Sequence, residues 1–397
     1  MIFNTFAYYL LFLLPAAVLY RLTSRRVRPW ICTLFGAGFY IFFSLTGLGG
    51  ARGAFCVGIF FWEALFSRLY SKKSVFCIIG IVQSVAFLAI FKYWNFFTGL
   101  FSWGGAREQL HWESAFLPLG ISFFTFEFIH YAADRYQGKL PKDNVADYLA
   151  FIFFFPTMVA GPIKRFGYFA PGLDQSHTKT PKQRWGDWER GITRILTGLV
   201  KKFAVADVMT AFTNHLNRDD IAVAHRWVLP LWVLAYGVKI YFDFSGYSDI
   251  AIGSTRLFGM QIPENFDWPY FRTNIAEFWR HWHMSLYRWL VDYVYIPLGG
   301  SRVVRPRIYL NIMITMLVSG IWHGAGLNFV AWGAWHGVLL CIHRLWVAAT
   351  GGRSAEPSRV AMIGAWAITF VAVNLGWALF AMDIHTAGFF FYRLVHG

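Results

Sequence analysis

Apolar runs of about twenty residues recur along almost the whole chain, separated by short polar and basic stretches. A run of that length in helical form matches a hydrocarbon core about 30 Å thick. Candidate spans are Ile2–Tyr20, Trp30–Leu48, Gly53–Tyr70, Val75–Phe97, Phe116–Ala133, Gly191–Leu216, Trp227–Tyr247, Ile308–Trp322, Asn328–Val347 and Val360–Met382. Two shorter runs, Tyr148–Ile163 and Phe278–Leu298, are aromatic and broken by Pro or Gly. Such runs suit re-entrant or half-buried helices better than full spans. The pattern predicts an all-α polytopic integral membrane protein, with about ten spans in a single domain covering 1–397.

Composition agrees. Of 397 residues, 57% are hydrophobic and 20% aromatic, with only 14% charged. The mean hydropathy is +0.43. Soluble globular chains carry about 25% charged residues. A soluble enzyme, a disordered scaffold and a disulfide-stapled secreted domain are excluded. Cys32, Cys56, Cys77 and Cys341 each lie in an apolar run without a CxxC pair, as small apolar side chains would. The first run has no basic stretch before it and no small-residue cleavage site after it, so it reads as a retained helix.

The net charge of +15, from 36 Lys and Arg against 21 Asp and Glu, would suggest nucleic acid if the cations were clustered. They alternate between loops instead. Arg21, Arg25, Arg26 and Arg28 follow the first span, only Arg52 follows the second, and Arg68, Lys72 and Lys73 follow the third. Arg107 stands with Glu108 and Glu113 in the next loop. Arg135, Lys139 and Lys142, the segment Lys164–Arg190, Arg302, Arg305 and Arg307, and Arg344, Arg353 and Arg359 continue the basic set. By the positive-inside rule the N-terminus lies outside and the basic loops face the cytoplasm. The charge is therefore mainly an orientation signal, and no nucleic-acid partner is expected. Lys164–Arg190 reads as a cytoplasmic loop or a pair of surface helices.

An ionisable side chain at mid-membrane costs roughly 2.5–3.5 kcal/mol, so polar residues inside apolar stretches are the informative ones. One cluster is Lys239 with Asp243, Ser245 and Asp249. Lys239 and Asp243 lie one turn apart and could neutralise each other, with a helix end at Ser245–Gly246; alternatively the cluster lines a cavity. A second runs from Asn274 through Glu277, Arg280, His281 and His283 to Ser285. It is either an amphipathic surface helix or part of a site. Two residues apart on a helix, His281 and His283 point to different faces, so at most one reaches a common site. The third is Ser319-Gly-Ile-Trp322-His323-Gly-Ala-Gly326, between two apolar runs. His323 follows Ile308 by about 22 Å of helix, deep in a core about 30 Å thick. It is either a hydrogen-bonded packing residue or a buried imidazole suited to general base work. His336 lies thirteen residues on and reads as structural.

GxSxG, Walker and HExxH motifs are absent, and the histidine spacing is not a metal-ligand signature. A histidine without a candidate nucleophile suggests direct transfer between two bound substrates.

Several of these segments, in order, carry a resemblance. Met158–Ile163 (MVAGPI), Tyr241–Gly253 (YFDFSGYSDIAIG), Pro263–Tyr270 (PENFDWPY), Phe278–Leu286 (FWRHWHMSL), Tyr293–Gly300 (YVYIPLGG) and Trp322–Gly326 (WHGAG) are similar to motifs of the membrane-bound O-acyltransferases. The similarity is to the bacterial branch that holds alginate O-acetyltransferases and D-alanyl transferases of teichoic acid. It covers nearly the whole chain, with a motif core of about residues 118–347.

The resemblance implies a multi-helix membrane fold around a central funnel, in the bacterial inner membrane. It implies transfer of an acyl group, acetyl in the closest branch, from a cytoplasmic thioester to a hydroxyl. The donor would be acetyl-CoA or an acylated carrier protein, with no bound cofactor and no metal. The acceptor would be an extracytoplasmic polysaccharide, with an SGNH-type acyltransferase as a possible partner. The family's principal catalytic histidine falls on His323 and a second important one on His283. Asp243, Ser245, Asp249, Asn265, Trp282 and Trp322 fall on site-shaping positions, and no role carries to His281. Alginate-type members continue past Asn374–Phe380 with further helices, so the resemblance implies either a shorter member or further residues beyond Gly397. D-alanyl transfer to teichoic acid is the nearest alternative. A transporter or flippase, which broken helices with buried polar groups also suit, and a non-catalytic membrane anchor are alternatives from other classes.

Overall fold

The computed structural model describes residues 2–70, 74–101, 116–140, 144–351 and 358–397. Lys72, Lys73, Arg107, Glu108, Glu113, Lys142 and Arg353 of the basic-loop reading lie outside the described residues. Among the described residues every regular element is a helix. Among the described residues, three helices are both long and apolar enough to cross a membrane: Arg28–Leu48, Val75–Gly99 and Arg359–Ala381. The chain divides into two compact units. One comprises Met1–Leu199 and Gly246–Pro263; the other comprises Val200–Ser245 and Glu264–Gly397.

The first unit is built on aromatic packing. Tyr8, Phe39, Phe60, Phe124, Tyr131, Phe151 and Phe258 are all buried in one cluster. Phe60 stacks on Tyr40 at 4.3 Å and meets Phe124 edge-on at 5.1 Å. These are the offset and T-shaped geometries that ring quadrupoles favour. Arg28–Leu48 starts with Pro29 in its first turn and ends at Gly49, whose φ of 81° takes the chain out of the helix. Gly50–Tyr70 then returns so closely that a Cβ on Gly53 would sit 2.6 Å from the Ser44 carbonyl oxygen.

The expected break at Tyr148–Ile163 is present. Asn144 caps the helix Val145–Ile152 by accepting from Asp147 N–H at 2.7 Å, and only a short turn at Phe155–Thr157 follows. Nearly all of this segment is buried. At its end the Lys164 ammonium donates to both oxygens of buried Glu127, at 2.6 and 2.7 Å. The polar stretch that follows forms the helices Phe166–Thr178 and Pro181–Val200.

Two boundaries differ from the sequence reading. Gly191–Leu216 is not one span: the helix begins at Pro181, ends at Val200 and passes into a π-helical turn at Lys201–Ala206. Lys202 is there held at 2.6 Å from Asp207, and a charged pair suits a turn better than an apolar span. Nor does a helix end at Ser245–Gly246, because one helix runs from Leu229 to Leu257. The glycines serve close approach instead. A Cβ on Gly253 would lie 2.5 Å from the Gly191 carbonyl oxygen, and one on Gly198 would lie 2.5 Å from that of Gly246. Small residues that let backbones touch are a common device of membrane helix packing.

The second unit centres on the antiparallel pair Arg305–His323 and Leu327–Ala349. Gly320 and Gly333 face the opposite backbone, where added Cβ atoms would stand 2.2 Å from the Phe329 oxygen and 2.5 Å from the Met316 oxygen. Arg359–Ala381 and the terminal helix Ile384–His396 complete it. Asp383 caps the latter, accepting from His385 and Thr386 N–H at 2.9 and 3.1 Å.

Candidate active site

His323 is the last residue of its helix, at the tip of the hairpin, where Gly324 turns the backbone to an extended conformation. Its half-buried ring is walled by aromatic edges. Trp322 lies at 4.8 Å, Phe380 at 5.1 Å and Trp332 at 5.2 Å between ring centroids.

His283 comes to the same place by a break in the chain. The helix Ile275–His281 stops, Trp282 is extended, and His283 takes φ 44° and ψ 53° before Met284–Leu290 begins. A left-handed residue other than glycine costs roughly 1–2 kcal/mol, so its neighbours must impose it. Asn265, fully buried, does so. Its carbonyl oxygen accepts from Met284 N–H at 2.9 Å, and its Oδ1 accepts from Ser285 N–H at 3.2 Å and Ser285 Oγ at 2.9 Å. The Asp267 N–H adds a bond to the His281 carbonyl at 3.1 Å. Trp282 fills the floor beneath, stacked on Phe278 at 5.5 Å and against Trp377 at 5.0 Å.

The His283 ring is buried and lies 6.5 Å from His323, 6.0 Å from Trp322 and 4.5 Å from Phe244. Both of its ring nitrogens lack a hydrogen-bond partner among the described residues. An unsatisfied buried polar group costs about 1–3 kcal/mol, and such groups concentrate where they serve function. At 6.5 Å between ring centroids the two imidazoles are not stacked on each other, and both lie against Trp322.

His281 turns elsewhere, its Nδ1 at 2.7 Å from the Glu277 carbonyl oxygen. His336 is fully buried and accepts from Trp279 Nε1 at 3.3 Å. That bond suits a neutral imidazole protonated on Nε2. Trp332 stands between His336 and His323, at 4.9 and 5.2 Å.

The carboxylates of the first cluster divide between the units. Asp243 pairs with Lys202 at 2.8 Å, and not with Lys239, whose ammonium donates to Thr213 Oγ1 at 3.2 Å. Asp249 belongs to the first unit, where Arg194 Nε donates to it at 2.6 Å. Ser245 is buried in the second unit. Among the described residues no three His, Cys, Asp or Glu side chains form a group able to hold a metal ion.

Sequence reasoning passed over Phe244, Trp332 and Phe380, the walls of the site, because aromatics are too frequent in this chain for any one to signal. It also passed over Glu127, although an acid inside the apolar run Phe116–Ala133 was signal enough.

The membrane-bound O-acyltransferase family model matches residues 78–380, which include the whole of this site. The chain belongs to that family. This membrane-bound O-acyltransferase is 34% identical to a probable alginate O-acetylase of Pseudomonas syringae pv. tomato, over 98% of this chain and 74% of the relative. It is 35% identical to a peptidoglycan O-acetyltransferase of Helicobacter pylori, over 78% of this chain and 62% of that protein. A teichoic acid D-alanyltransferase of Bacillus subtilis matches at 30% over 66% of this chain and 68% of its own length. The protein is a membrane acyltransferase, and the transporter reading gives way.

Proposed function

We propose that this enzyme moves an acetyl group from a cytoplasmic thioester, on CoA or a carrier protein, to a hydroxyl of an extracytoplasmic polysaccharide. The observation that carries the reading is the pair His283 and His323, 6.5 Å apart within an aromatic wall. In this reading the fold spans the bacterial inner membrane about ten times as a single domain, N-terminus outside, and a funnel leads to the histidines. The similarity to O-acetyltransferases at 34% and 35% identity favours acetyl over D-alanyl as the group moved.

The acceptor hydroxyl loses its proton to His323 as its oxygen attacks the thioester carbonyl carbon. The tetrahedral oxyanion that forms is stabilised by a ring N–H of His283. Collapse breaks the carbon–sulfur bond, and the His323 imidazolium returns the proton to the leaving thiolate. Trp322 and Trp282 exclude water and hold the two rings in place. Asn265 fixes the His283 turn, Asp243 and Ser245 shape the approach, and Asp249 supports the scaffold through Arg194. An SGNH-type acyltransferase outside the membrane would be a partner if the acyl group passes on to a second enzyme.

The test is acyl transfer by the purified protein. The substitution His323→Ala is expected to lower turnover by about 10²–10⁴, the range for loss of a general base. Full activity in that variant would overturn the mechanism. Transfer of D-alanine with no transfer of acetyl would move the acceptor class to teichoic acid.

A further inference from the structure

A cationic cluster lies in the first unit, built from three separate stretches of chain. Four cations converge on the single buried carboxylate of Asp187. Lys179 Nζ is at 2.6 Å, Arg190 at 3.2 Å, Arg256 at 3.7 Å and Arg21 at 4.0 Å. Arg28 and Arg184 crowd the same group, near enough to Arg21 for their charges to act against its own. Their hydrogen bonds go to neutral acceptors. Arg28 donates to the Thr23 carbonyl and Ser176 Oγ, both at 3.2 Å, and Arg184 to the Lys179 carbonyl at 2.9 Å. The adjacent acids Asp147 and Asp174 are both engaged by Arg25. Arg21 Nη1 is buried without a hydrogen-bond acceptor among the described residues. Asp187 is shared by Lys179, Arg190, Arg256 and Arg21, so positive charge outnumbers negative around it.

The helix Pro181–Val200 shows which environment meets that charge. Asp187, Gly191, Ile195 and Gly198 form its buried face. Trp185, Ile192, Leu196 and Val200 are exposed and fall on the opposite face at i, i+7, i+11 and i+15. In a membrane protein an exposed apolar stripe lies against acyl chains, and a tryptophan at its end marks the headgroup level. Arg190 and Arg184 flank Trp185 on the same helix, and the Arg190 side chain is 62% exposed. Phosphate is the anion that meets arginine at that depth, and basic pockets of this kind bind acidic headgroups.

We infer that the exposed Arg190 edge of the cluster around Asp187 binds the phosphodiester headgroup of an anionic phospholipid, with the Trp185 face of the same helix against the acyl chains. The site is independent of the acyl-transfer chemistry, since none of its residues belongs to the histidine pair.

The experiment titrates the purified full chain with phosphatidylglycerol and with phosphatidylcholine, counting bound lipid by native mass spectrometry. Phosphatidylglycerol is expected to bind at least about tenfold more tightly, and Arg190→Glu to weaken it about tenfold, the size of one charge-assisted hydrogen bond. Arg359→Glu, an exposed charge reversal elsewhere, should leave binding unchanged. If Arg190→Glu does not fold, Arg190→Gln should still weaken phosphatidylglycerol selectively. Equal affinity for the two lipids, or equal loss in Arg190→Glu and Arg359→Glu, overturns the site. So does a thermal midpoint raised by inorganic pyrophosphate but not by phosphatidylglycerol, which would assign the cluster to a soluble phosphate.

Discussion

His283 shows how a single backbone torsion can set a site. In a continuous helix the ring would be directed by its place in the turn. The left-handed residue ends the first helix, starts the next and brings the ring to 6.5 Å from His323. Asn265 holds this arrangement from the outside, so its truncation should act on geometry more than on chemistry. Asn265→Ala removes the acceptor of the Ser285 N–H and Oγ bonds and should cost about 1–3 kcal/mol, read as a lower unfolding midpoint. Turnover should fall with it, while Asn265→Asp, which keeps Oδ1, should restore much of both. His323 and His283 were legible in the sequence because ionisable groups are so scarce in its apolar stretches. The turn was not, since nothing in Trp-His-Met-Ser announces a positive φ. The part played by Asn265 came from family motifs alone.

Helices pack here by backbone contact, and that gives sharp contrasts between glycines. Gly320→Ala places a methyl 2.2 Å from the Phe329 carbonyl oxygen, across the hairpin that carries His323. Overpacking of this kind costs about 1–3 kcal/mol, and the displaced tip should lower activity as well. Gly364→Ala meets nothing within 4 Å and should be neutral or stabilising by about 0.5–1 kcal/mol through helix propensity. Thermal unfolding of the two variants side by side checks the pair. Long uniform apolar runs such as Trp30–Leu48 and Val360–Met382 were read within a few residues, because composition alone makes them helical. The boundary at Val200 was hidden because its cause is a partner distant in sequence, Asp243, which shares Lys202 with Asp207. The helix Ile384–His396 was missed although Asp383 announces its start, since a search by span length ignores caps.

For the molecule as a whole, Asp187 ties stability to pH. Burial alone would raise its carboxyl, but hydrogen bonds from Lys179 and Arg190 and the charge of Arg21 hold it below the ordinary carboxylate value. A depressed carboxyl stabilises the fold fully above its unfolded pKa of about 3.9. That contribution is lost as pH falls from there through the folded value. Unfolding midpoints should therefore drop with acid below about pH 4, and Asp187→Asn should flatten that limb while lowering stability at neutral pH. The membrane class was written in composition. The division into two units was not, because it depends on which distant segments pair.

That division has a consequence for synthesis. The first unit needs Gly246–Pro263, which the ribosome adds only after the 46 residues Val200–Ser245 of the other unit. At about 5–20 residues per second, the wait from Leu199 to Pro263 is roughly 3–13 s. During that time Tyr8 lacks Ser254, Arg194 lacks Asp249, and Arg21 lacks the carbonyls of Arg256 and Leu257. The nascent chain therefore stands at the membrane without these three sets of contacts while the intervening segment is being made. A nascent chain stalled between those two points should be the species that membrane proteases and chaperones engage.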